Sequence, residues 1–194
     1  MLVTDIKLTK SELTKELIFQ KTFQIISEKG FASVNHREVA NHCGLSVGIV
    51  YKHLGPSNDH LKVLMDHVVT QGYGRLAKVP DNLSPLEKVK MNQKINLEFF
   101  LGQPGYAILF LHFYINSRFD DDLHKWNTKL TKSAEGRLIE IQGGRKKSAA
   151  LLASALHSLL VGEIIKFVSL KSKDVSGIID RHLKQVELIF NSTY

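Results

Sequence analysis

An all-α fold is predicted by three observations on the 194-residue sequence: apolar residues recur at three-to-four spacing through long windows, only four prolines interrupt them, and no strand-like alternation is bounded by hairpin turns. The prolines, Pro56, Pro80, Pro85 and Pro104, fall between the windows, where helix breakers belong. The length allows one or two domains and is enough to bury a core.

The stripe Ile18, Phe19, Thr22, Phe23 and Ile26 predicts a first helix of roughly four turns, stopped by Gly30 just after Lys29. Asn35 with Glu38 three residues on reads as a helix cap with a box-like partner, opening a short helix to about His42 that Gly44 ends. Ser46 caps the next helix, Val47 to about Leu54, and Gly55-Pro56 terminates it. After a turn over Gly55 to Asn58, the residues Leu61, Leu64, Met65 and Val68 predict a helix to about Ala77, before a loop from Pro80 to Pro85.

Ser84 opens a helix carrying Leu86, Val89, Ile95, Phe99 and Phe100, which Gly102-Gln103-Pro104-Gly105 closes. Another is expected from about Tyr106 to Phe119. The acidic run Asp120 to Asp122 suits the start of a helix through Trp126, Leu130, Leu138 and Ile141, with a break at Gly143-Gly144. Two final helices, Lys146 to Leu170 and Val175 to Asn191, carry the stripes Leu152, Leu156, Leu159, Leu160, Phe167 and Ile179, Leu183, Val186, Phe190. Two regions result: a three-helix head over residues 8–56 and a helical body over 57–194.

Composition limits the partners. The formal charge of +7 makes an acidic partner worth testing. Its distribution weakens the argument, because residues 1–75 hold nine Lys and Arg against seven Asp and Glu, while residues 76–194 hold seventeen against twelve. The single cysteine, Cys43, rules out an intrachain disulfide and a multi-cysteine zinc site. No apolar block precedes a cleavage site near the start, so a cytoplasmic protein is expected. The most apolar stretch, Leu151 to Val168, is interrupted by His157, Glu163 and Lys166; it reads as a buried or interface helix, and no membrane partner is expected.

The two short helices and the turn centred on Cys43-Gly44-Leu45 form a helix-turn-helix, whose second helix fits a major groove about 12 Å wide. Gly44 suits the turn, Val39, Ala40, Leu45 and Val50 can pack the pair, and Val47, Gly48, Lys52 and His53 are left on or near the open face. Glu28-Lys29-Gly30-Phe31, Val39-Ala40, Cys43-Gly44-Leu45-Ser46, Gly48 and Tyr51-Lys52-His53-Leu54 occur in the order found in TetR-type repressors, which the chain resembles from about Leu13 to Val69.

The resemblance implies a homodimeric, ligand-responsive transcriptional regulator, a repressor released from its operator by a small molecule. Its partners would be double-stranded, palindromic operator DNA, an apolar or amphipathic effector, and a second copy docked through the last two helices. Those helices' stripes serve equally as intrachain core. By analogy Tyr51 and His53 approach phosphates, Asn35, His36 and Arg37 lie at the start of the supporting helix, and Ser46, Val47 and Gly48 face bases. Arg37 and Lys52 are the nearest long cations for phosphate or guanine; as isolated residues they also suit a solvated surface. Three departures from the family pattern stand out: Val47 and Ile49 replace a common Lys and Thr, and the segment Gly55 to Asp59 is one residue longer, with Asn58 where a Lys is common.

The aromatic residues of the body, Phe99, Phe100, Tyr106, Phe110, Phe113, Tyr114 and Trp126, cluster along three consecutive helices. Five of them, Phe99, Tyr106, Phe110, Phe113 and Trp126, are candidate effector contacts, with ordinary core packing as the alternative. His36, His42, His53, His60 and His67 lie near Cys43 in the head, but without a ligand spacing that predicts a metal; no metal and no cofactor are expected. An enzyme is disfavoured because no nucleophile-base set, phosphate-cradling loop or paired-carboxylate site is recognisable. A ligand-independent DNA-binding or protein-interaction module remains the alternative function.

Overall fold

Side-chain caps start four of the helices, and three of them, at Asn35, Ser46 and Ser84, lie where the sequence places them. Thr9, Asn35, Ser46 and Ser84 each accept a hydrogen bond from a backbone N–H three residues ahead, and each such cap contributes about 1 kcal/mol. In the computed structural model, which describes residues 9–76, 79–141 and 146–193, they help to order nine helices. These are α1 (Lys10–Lys29), α2 (His36–Cys43), α3 (Val47–Leu54), α4 (His60–Leu76), α5 (Pro85–Leu101), α6 (Pro104–Asn116), α7 (Asp121–Ile141), α8 (Lys146–Leu170) and α9 (Val175–Thr193). Short 3-10 turns at Phe31–Ser33 and Ser57–Asp59 complete the head. The expected limits at residue 8, Ala77 and Gly143-Gly144 fall outside the described residues.

Two helices differ from their expected spans. α1 has 20 residues, longer than its apolar stripe, because a reciprocal capping box between Thr9 and Glu12 starts it in a polar segment that no stripe marks. α6 begins at Pro104, since proline is tolerated in the first helical turn, and it stops at Asn116. Beyond it the N–H groups of Arg118 and Phe119 bond only three residues back, a tightening that ends the helix before Phe119.

The main core runs through both regions. In the head it takes Ile18, Phe19, Phe23, Ile25 and Ile26 from α1, Val39 and Ala40 from α2, and Val50 and Leu54 from α3. It continues through Leu64, Met65 and Val68 of α4 into Leu97, Phe99, Leu109 and Phe113 of the body. A second cluster, at Val89, Leu138, Leu152, Leu156, Val186 and Phe190, ties α5, α7, α8 and α9 together. By length and hydropathy α8 would suffice to cross a bilayer. Its buried Glu163, however, is bridged by Arg181 of α9 and by Lys166, and its apolar stripe packs within the bundle.

Head and body meet where α1 crosses α6, and the crossing is close enough to require glycine. A Cβ on Gly105 would stand 2.3 Å from the Phe23 carbonyl oxygen and 3.2 Å from its Cα, so backbone lies directly on backbone. Around this point Phe23 meets Tyr106 edge-on at 4.4 Å, and Phe31 lies 4.5 Å from the His112 ring. Substituting Gly105→Ala is therefore expected to cost about 3 kcal/mol in urea unfolding. Gly72→Ala in α4, where the new methyl meets only Phe99 at 3.7 Å, should leave stability unchanged or raise it by up to about 1 kcal/mol. Equal stabilities for the two variants would contradict the contact.

Candidate functional site

The helix-turn-helix is built from the caps inward. Asn35 caps α2 through its side-chain oxygen, 2.9 Å from the Glu38 N–H. The Glu38 carboxylate does not return to Asn35, as a full capping box would require, but accepts from Lys29 at 2.6 Å and so joins the end of α1 to α2. Lys29 holds that carboxyl below its usual range. Gly44 ends α2 in the left-handed conformation, φ 64° and ψ 32°, and the Leu45 N–H bonds back to the Ala40 carbonyl at 3.0 Å. The chain then turns into α3, capped by Ser46.

Burial of Val50 and Leu54 against α1 and α2 leaves the opposite face of α3 to solvent. Val47, Gly48, Ile49, Tyr51 and Lys52 of α3 are all exposed, and so are Asn35, Arg37 and Ser46. Nothing lies within 4 Å of a Cβ built on Gly48, so the helix start is open to a close-fitting partner. Tyr51 is 53 % exposed, which places it outside the core. Ile49, noted in the sequence only as a departure, stands on the same face at 39 % exposure.

Two of the predicted residues point elsewhere. His53 is half-buried on the flank of α3, in a groove shared with Lys15 of α1 and Lys62 of α4. His36 turns inward: its Nε2 donates to the Gly55 carbonyl at 2.7 Å and lies 3.2 Å from Nε2 of the buried His60. This pair joins the first residue of α2, the C-cap of α3 and the first residue of α4. Burial, and next the neighbouring His36, push the His60 ring below the ordinary imidazole value. His67 is instead packed between Phe19 and Phe23, and no group of three or more His, Cys, Asp or Glu side chains suited to a metal occurs among the described residues.

The body holds a second candidate site, a partly open pocket of about 160 Å³ between α4, α5, α6, α7 and α8. Phe99 and Phe110 line it, as do Phe100 and Tyr114. The other three expected contacts do not. Phe113 is fully buried in the core, Tyr106 packs on Phe23 and Phe99, and Trp126 packs edge-on to Phe113 and faces the groove beside His67. Polar groups unmarked by any motif complete the lining: Asn96, Asn127, Thr131, Arg137 and His157. The Tyr114 hydroxyl and His157 Nε2 are hydrogen-bonded to each other. The helical spacing of Asn127, Thr131, Ala134 and Arg137 was the available signal, since it puts all four on one face of α7.

Comparison with solved structures places this arrangement. A TetR transcription regulator from Haloarcula marismortui superposes with a TM-score of 0.76 at 14% identity, covering 92% of this chain and 97% of that one. A TetR/AcrR-type transcriptional regulator from Aquifex aeolicus gives 0.73 at 17% identity, covering 91% and 99%. The fatty acid degradation regulator of Bacillus halodurans gives 0.75 at 14% identity, covering 93% and 96%. The chain has the TetR-regulator fold. No family model matches it. In sequence, an HTH-type transcriptional regulator of Bacillus subtilis is 24% identical over 100 residues, a match spanning 50% of this chain and 35% of that protein.

Within this TetR-type fold the buried His60 gives the head a testable pH response. The folded state holds His60 neutral, whereas the unfolded chain takes up a proton as pH falls through about 6.5, so stability is lost on acidification. His67, His157 and His182, also depressed by burial, act in the same direction. The melting temperature should fall between about pH 7.5 and 5.5, and fall less in His60→Gln. An identical drop in the variant would assign the response to other groups.

Proposed function

We propose that the chain is a homodimeric DNA-binding transcriptional regulator, a repressor whose heads leave their operator when a small molecule fills the body cavity. The observation that carries this reading is the exposed face of α3, held on a buried back and opening at Gly48. The names of the similar structures support it, all being transcriptional regulators.

Dimerisation is assigned to α8 and α9. On α8, Leu151 and Ile165 are exposed at 62 % and 48 %, and Ser154, Ser158 and Gly162 lie between them on the same face. Gly162 has open space where a Cβ would stand, so nothing within the chain requires a helix-weakening glycine there. Leu188, 70 % exposed on α9, extends the apolar surface. A two-fold dimer presents two α3 helices, which must reach major grooves about 34–36 Å apart. The connection from cavity to head is α4: its first residue, His60, joins the helix-turn-helix, and Met65, Val68, Val69 and Gly72 form a cavity wall. A ligand that binds more tightly to one placement of α4 shifts the heads toward that placement.

Selection from a random DNA pool at moderate salt is expected to enrich an inverted repeat bound by two chains. On that duplex Lys52→Ala should weaken binding and make the salt dependence shallower by about one phosphate contact. No enrichment over the starting pool would refute the reading.

A further inference from the structure

Five of the rings that line the pocket form one continuous array. Phe99 meets Phe100 at 5.3 Å between ring centres, Phe100 meets Phe110 at 4.8 Å, Phe110 meets Tyr114 at 5.5 Å, and Tyr114 stacks on His157 at 5.4 Å. The array spans α5, α6 and α8, while Met65, Val68, Val69 and Gly72 of α4 add a wall with no polar side chain. A planar ring placed against such an array gains edge and face contacts that a saturated ring of the same size does not.

At its α8 end the array turns polar, and the protons there are already committed. Burial raises the pKa of the Tyr114 phenol and lowers that of the His157 ring, so both are neutral near pH 7. Between a neutral phenol and a neutral imidazole, the phenol is the stronger acid and the ring nitrogen the stronger base. Tyr114 therefore donates its hydroxyl proton to His157 Nε2. Thr131 of α7, also on the lining, donates its hydroxyl proton to the Asn127 carbonyl at 3.0 Å. A hydroxyl has one proton to give and two lone pairs, so toward a ligand the Tyr114 and Thr131 oxygens accept. Donation to His157 also polarises the Tyr114 oxygen and makes it the better acceptor.

We propose that the pocket takes an aromatic ligand bearing a hydroxyl group, with the ring against the phenylalanines and the hydroxyl donating to the Tyr114 oxygen. This rests on the pocket being the effector site, as proposed above. An ether at the same place would bring a lone pair onto a lone pair and leave the Tyr114 oxygen without a donor. The pocket is partly open, so recognition lies in the ring and its hydroxyl and sets no limit on the length of the rest of the ligand.

Ligand-observed NMR titration of the full chain with 4-ethylphenol, 4-ethylanisole, ethylbenzene and 4-ethylcyclohexanol tests the proposal, since the first three share the ring and the last shares the hydroxyl. 4-Ethylphenol is expected to bind at least about ten-fold more tightly than each of the others. Tyr114→Phe and His157→Phe both keep a ring in place. The first should remove the advantage of 4-ethylphenol over ethylbenzene while ethylbenzene still binds. The second should free the Tyr114 proton, so that 4-ethylanisole gains several-fold relative to 4-ethylphenol; an unchanged order of affinities there overturns the proton assignment. In operator binding followed by fluorescence anisotropy, 4-ethylphenol should lower the affinity of the wild-type chain but not of Gly72→Leu, which fills the α4 wall. If 4-ethylanisole or ethylbenzene binds as tightly as 4-ethylphenol, the hydroxyl is overturned, and if 4-ethylcyclohexanol does, the ring is. In either case the effector reading stands when the tighter ligand lowers operator affinity in the wild-type chain and not in Gly72→Leu. The expected order of binding with no change in operator affinity overturns the effector reading and supports the ligand chemistry. Absence of binding by all four overturns the proposal.

Discussion

Backbone-on-backbone contact between Gly105 of α6 and Phe23 of α1 is the constraint on which the placement of the head depends. Side-chain packing alone leaves two helices 8–10 Å apart at their axes. Here the missing Cβ removes that spacing, and the crossing is locked by Phe23 against Tyr106 and by Phe31 against His112. Because α1 also carries α2 and α3 on its other side, the orientation of α3 is inherited from the body. The second link is the junction of His36, Gly55 and His60, which fixes the end of α3 to the start of α4. A cavity bounded by α4 and α6 is thus bounded by the two helices that position the head. That shared boundary gives ligand and DNA a common set of moving parts in the proposed mechanism.

The proposed DNA-contacting face has an unusual balance of charge. Most of the positive surplus lies outside the head, and the exposed face of α3 is largely apolar, with Val47, Ile49 and Tyr51 around Gly48. In the proposed role, attraction to phosphate would depend on a few cations, Lys52 and Arg37 among them, and on the N–H groups at the start of helices. Base discrimination in that role would depend on close approach and on methyl contacts, for which valine and isoleucine are suited to thymine. Such a face would select by shape and apolar fit, with few hydrogen bonds to base edges.

Local signals were the legible ones. Asn35, Ser46 and Ser84 cap the helices expected of them, Gly30, Gly44 and Gly55 end theirs, and the apolar stripe of α1 is buried. The start of α1 at Lys10 and of α6 at Pro104 were missed, because a capping box and a first-turn proline extend a helix beyond its apolar stripe. Contacts between distant segments were not legible. His36 meets His60 across 24 residues and Tyr114 meets His157 across 43, and no spacing rule links either pair. Aromatic residue type marked the region of the cavity but could not separate Phe99 and Phe110, which line it, from Phe113, which fills the core.

The proposed contact of the open face of α3 with DNA is tested most directly at Gly48. A side chain there meets no other part of the chain, so Gly48→Glu changes the face without disturbing the fold. Fluorescence anisotropy with the selected operator, alongside thermal unfolding, is the decisive measurement. An unchanged melting temperature and an affinity lowered by about 100-fold or more are expected, since a carboxylate would face the phosphates or base edges at close range. Operator affinity equal to that of the wild-type chain, in a variant that melts normally, would contradict the contact.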